Sequence, residues 1–131
     1  SAMSQDTDKT KEREKIEALK VAHITSELDL SQTEAQKFWP AYNAFENKKQ
    51  ALRKEKIKLR SQLTMESLNE ADAKNLVDKM LNFEKEETNL KTNYISSLQS
   101  IISNKKIIKL FEAERSFKLK MIKEFKGRHR K

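Results

Sequence analysis

Leu30-Ser31-Gln32-Thr33-Glu34-Ala35-Gln36-Lys37-Phe38-Trp39-Pro40-Ala41-Tyr42 decides the fold. Ser31 carries a short side-chain oxygen that can accept from the N–H groups opening a helix. Glu34, three residues on, can reach back to the Ser31 N–H and complete a capping box. A long helix is therefore predicted to start at Gln32. The pattern returns as Leu68-Asn69-Glu70-Ala71-Asp72-Ala73, which reads apolar residue, cap, two variable residues and acid. The chain has two equivalent helix starts.

From the first start, Phe38, Tyr42, Phe45, Leu52, Leu59 and Leu63 trace one face of a helix running to about Gln62, with Lys49 standing where the heptad expects an apolar group. Pro40 removes one backbone bond and crowds the carbonyl of Gln36, so a bend is expected there rather than an end. Ser61 to Leu68 reads as a turn. From the second start, Leu76, Met80, Phe83, Leu90, Tyr94 and Ile101 line a helix running to about Ser100. Each of these helices is about thirty residues, or roughly 45 Å. Matched lengths across a short connection predict a long antiparallel helical hairpin.

Two flanking helices complete the all-α reading. The first, about Lys9 to Leu28, carries Ile16, Leu19 and His23 with Val21, Ile24 and Leu28 beside them. The last is capped by Ser103, runs from Asn104 to about Lys126 on Ile107, Leu110, Phe111, Phe117, Met121, Ile122 and Phe125, and is expected to stop at Gly127. Residues 1–8 show no periodicity and read as a disordered lead, with Ser1-Ala2-Met3 as a cloning scar and a natural N-terminus cut away upstream. Residues 9–127 then form a single helical domain, and 128–131 a basic tail.

Composition supports this class. With 36% hydrophobic and 37% charged residues, a thin helical form is favoured over a thick core, and one glycine and one proline argue against turn-rich β or α/β folds. The 28 Lys and Arg against 20 Asp and Glu give a net charge of +8, which favours anionic partners without specifying them. No apolar run approaches the ~18 residues of a membrane span. The absence of cysteine excludes a disulfide framework and a thiolate site.

No glycine-rich phosphate loop, nucleophile elbow or His-Glu-x-x-His motif is present, so the chain reads as no enzyme and as needing no cofactor. His23 and Glu27 have a spacing that can hold metal, but His23 lies in register with Ile16 and Leu19 and reads as a packing residue. His129 is far away, and no metal site is expected. Phe38, Trp39, Tyr42 and Phe45 crowd less than three turns of one helix. They read either as hairpin core or, with Met80 and Phe83, as an adaptable apolar surface for another polypeptide. Lys105, Lys106, Lys109, Lys118, Lys120, Lys123, Lys126, Arg128, Arg130 and Lys131 form a basic patch. No recognition helix or RNA-binding aromatic motif accompanies it, which disfavours nucleic acid as a partner.

The two starts, Leu30-Ser31 with Glu34 and Leu68-Asn69 with Asp72, resemble the LTxxQ motifs of the Spy/CpxP superfamily. These are small envelope proteins acting as periplasmic chaperones, stress-response repressors or heavy-metal sensors. Gln36-Lys37-Phe38-Trp39-Pro40-Ala41-Tyr42-Asn43 and Lys109-Leu110-Phe111-Glu112-Ala113-Glu114-Arg115 look like the branch described as sensors of extracytoplasmic-function sigma factors. The resemblance covers about residues 10–127. Ser31 and Asn69 replace the motif threonine, Glu34 and Asp72 its glutamine, and the family's metal-binding histidines have no counterpart. The resemblance implies a four-helix hairpin that pairs into a curved antiparallel homodimer in the periplasm, with a basic, apolar-patched concave side. It also implies binding of unfolded polypeptide or of a membrane signalling protein.

Overall fold

The computed structural model describes residues 2–62 and 68–129, with side chains described from residue 5 to 62 and from 68 to 127. The described residues form four helices, α1 (Ala2–Leu28), α2 (Gln32–Gln62), α3 (Glu70–Gln99) and α4 (Asn104–His129), and no strand. The all-α class is as predicted. The predicted turn lies largely in residues 63–67, outside the described residues.

The bounds of α2 and α3 follow from their caps. Ser31 N–H donates to Glu34 Oε1 at 3.0 Å and Glu34 N–H donates to Ser31 Oγ at 3.1 Å, the reciprocal pair of a capping box. Asn69 Oδ1 accepts from the Asp72 N–H at 2.8 Å, and Ser103 Oγ accepts from the Lys106 N–H at 3.2 Å to open α4. Pro40 lies inside α2 without ending it. The end of α1 is also hydrogen-bonded. Asp29 N–H donates to Ser26 O at 3.2 Å and Leu30 N–H to Thr25 O at 3.4 Å, a Schellman closure in which Asp29 takes the left-handed conformation at φ 47°.

Two helix ends differ from the sequence reading. α1 begins at Ala2 rather than near Lys9, and every residue from 5 to 19 is exposed. These turns carry no apolar stripe to announce them, and with no proline or glycine present nothing stops a helix extending back from its packed part. α4 passes through Gly127, which has no positive φ, and continues to His129. A glycine ends a helix only when the chain turns there, and here it continues.

Where the sequence reads as one domain over 9–127, the chain's contacts separate two compact units. The first joins the residues up to Ala35 with those from Ile102 onward. In it α1 packs on α4, burying Ile24 and Leu28 against Ile107, Leu110, Ala113 and Phe117, together with Ile102. His23 meets Ser116 and Phe117 while Asp29 meets Lys106, so the two helices run antiparallel.

The second unit is Gln36–Ile101. Its buried side chains are Phe38, Tyr42 and Leu59 from α2 and Leu76, Tyr94 and Leu98 from α3. Phe45 stacks on Tyr94 with centroids 3.9 Å apart, and Lys56 Nζ donates to Glu87 Oε1 at 2.7 Å. Along these contacts α2 numbers rise as α3 numbers fall. No side chain is buried between Tyr42 and Leu59, or between Leu76 and Tyr94.

Candidate partner-binding surface

The aromatic run of α2 divides according to which side of the helix each residue occupies. Phe38 and Tyr42, four residues apart, turn inward and are 0% and 3% exposed. Their rings stack at 5.6 Å, and the half-buried Trp39 meets both edge-on at 4.9 and 5.3 Å. This corrects the reading of Phe38 and Tyr42 as partner contacts, because rings already enclosed by the fold have no surface to offer. Phe45 is half-buried on Tyr94, with Lys49 Nζ 5.8 Å from its ring centroid. Lysine at the broken heptad position thus covers an aromatic face that an apolar residue would otherwise pack against.

Met80 and Phe83, the other two residues expected at a partner surface, both lie on α3. Met80 is exposed, as are Val77 and Leu81 on the same stretch of α3. Phe83 is half-buried and, with Leu59, floors a groove of about 340 Å³ between α2 and α3. Glu55 and Lys58 edge it from α2, Lys79 and Glu86 from α3. Both signs of charge surround an apolar floor, an arrangement that suits polypeptide better than a single small ion.

The motif residues serve local structure. Leu30 is half-buried, Leu68 exposed, and Ser31, Glu34, Asn69 and Asp72 are the cap positions described above. Sequence reasoning missed a tie at the first cap. Lys106 Nζ donates to Glu34 Oε1 at 2.7 Å and to Asp29 O at 2.9 Å, joining α4 to both ends of the α1–α2 corner. The Lys106 hydrogen bond, followed by that from the Ser31 backbone, holds the Glu34 carboxyl below its ordinary pKa. His23 also has a protein partner. Ser116 Oγ donates to Ala113 O at 3.1 Å, so His23 Nε2 is the donor to Ser116 Oγ at 3.0 Å. No group of three metal-ligating side chains occurs among the described residues.

Comparison with protein-family models, curated proteins and solved structures found no match.

Proposed function

We propose that the chain is a non-enzymatic envelope-stress protein that binds unfolded or misfolded periplasmic polypeptide without ATP. In this reading α2 and α3 form the arms of a Spy/CpxP-like hairpin, and two copies pair. The observation that carries it is the exposed α3 patch of Val77, Met80 and Leu81, which leaves apolar groups open on a helix whose separate Phe83 groove is edged by charges of both signs. Apolar contact supplies affinity for any unfolded segment, and a mobile methionine adapts to its shape. The opposed order of contacts between α2 and α3 supports the hairpin, and exposed Ile57, Val77 and Leu81 would gain cover in a dimer.

The test is suppression of aggregation. The purified chain, mixed with several unrelated heated or reduced proteins, is expected to lower light scattering at equimolar ratio. Met80→Ser with Leu81→Ser should remove most of that effect while leaving the helical signal unchanged. Unaltered aggregation of every client would end this reading and favour the alternative, a dedicated regulator that binds a membrane anti-sigma or sensor protein. Binding duplex or single strands with a steep salt slope would instead support a nucleic-acid-binding helical protein.

A further inference from the structure

We propose that the outer face of α4 is a docking surface for anionic lipid. The helix is apolar around more of its circumference than its neighbour in the unit covers. Ile107, Leu110, Ala113 and Phe117 are buried, yet Ile108, Leu119 and Ile122 are 57%, 57% and 44% exposed. At 100° per residue these three fall within about 60° of one another, offset from the buried stripe, and exposed Phe111 and Phe125 lie to one side of them. Scattered exposed apolar residues need no explanation, but a second stripe at helical spacing on one helix does.

Charge selects the occupant. α4 carries nine lysines and arginines against three glutamates, and Lys118, Lys123 and Lys126 lie exposed in and beside the outer stripe. A second copy meeting this face through a two-fold axis would bring like charges together, so the partner is anionic and not another α4. Shape separates the remaining candidates. The outer face of a single helix is convex and offers no groove in which an acidic peptide could seat. A bilayer interface deforms around such a helix, taking up the apolar side chains while lysine stems extend their charges to the phosphates. The geometry is that of a helix lying on the surface, since no described helix is long and apolar enough to cross a membrane.

The test uses the full chain and vesicles without any client protein, so its result is independent of aggregation suppression. Co-sedimentation is expected with vesicles containing phosphatidylglycerol and not with phosphatidylcholine alone, and should weaken as salt rises. Lys118→Gln, Lys123→Gln and Lys126→Gln should each lower partitioning by about fivefold. Leu119→Ser and Ile122→Ser, both at exposed positions, should lower it by about tenfold each with unchanged salt dependence. The proposal is overturned by equal binding to both lipid compositions. Vesicle binding indifferent to Leu119→Ser and Ile122→Ser also overturns it, as does binding of poly-glutamate by a chain that ignores vesicles.

Discussion

The two units are built from helices of similar length, yet they are held together differently. In α4 buried positions follow one another at 107, 110, 113 and 117, so consecutive turns all contribute to one dense seam with α1. In α2 and α3 the buried residues gather near the ends, and the stretch between them is half-buried at most. Polar ties differ in the same sense. Lys106 bonds a carboxylate and a backbone carbonyl at once, whereas the Lys56–Glu87 ion pair across α2 and α3 has side chains 40% and 44% exposed. An exposed pair of that kind contributes ~0.2–1 kcal/mol. Helix length therefore says little about core. The density of inward apolar positions decides it, and Lys49 marks where that density fails in α2.

The largest expected effect tests this contrast directly. Leu110→Ala, at a fully buried site, should cost about 2–5 kcal/mol, because it removes contacts and leaves a cavity that rigid neighbours cannot fill. Leu52→Ala, half-buried in the sparse stretch of α2, should cost about 1 kcal/mol. Urea unfolding of both variants gives the comparison, and equal losses would erase the distinction between the seams.

The caps sharpen the contrast by being indifferent to it. Ser31→Ala in the first unit and Asn69→Ala in the second should each cost about 1 kcal/mol, since each removes one acceptor from a helix start. Thermal melts that ranked them as differently as Leu110 and Leu52 would mean that capping depends on the packing behind it.

The smallest effect is confined to acid. Glu34 has a lowered pKa when folded, so folding favours its ionised form. The resulting stability is complete above the ordinary value of 4.5 and is lost as pH falls through the lower folded value. Lys106→Met should therefore flatten the acid limb of a stability–pH curve below pH 4.5 more than it alters the curve's shape near neutrality. A limb unchanged by Lys106→Met would show that other carboxylates set it.

Local chemistry was legible before the structure, and long-range chemistry was not. Ser31, Asn69 and Ser103 each announce a helix start through a side chain acting within three residues, and all three caps formed. The apolar stripe placed α2 at Gln32–Gln62 as observed. Periodicity could not tell Phe38 from Trp39, because a short aromatic run fills nearly every direction around the helix, and packing alone decides which rings are enclosed. The pairing of His23 with Ser116 spans 93 residues, and nothing near either one points to the other. The outer stripe of α4 did have a signal. Ile108 and Leu119 fall outside the packed stripe read from the sequence, and counting them shows an apolar arc wider than one neighbouring helix can cover.

Lys106 finds its partners 77 and 72 residues earlier in the chain, and that separation bears on the order of assembly. The second unit is continuous in sequence, so its elements leave the ribosome together and can begin to associate while α4 is still being made. The first unit is discontinuous. Its α1 must wait, with Ile24 and Leu28 uncovered, until Leu110 and Phe117 have been synthesised, and the loop then closed contains the whole of the second unit. Closing a loop becomes only slowly more costly with its length, so the delay comes from synthesis at ~5–20 residues per second rather than from entropy. For those few seconds the nascent chain leaves the apolar side of α1 open to capture by a chaperone or to misassociation with a neighbouring chain.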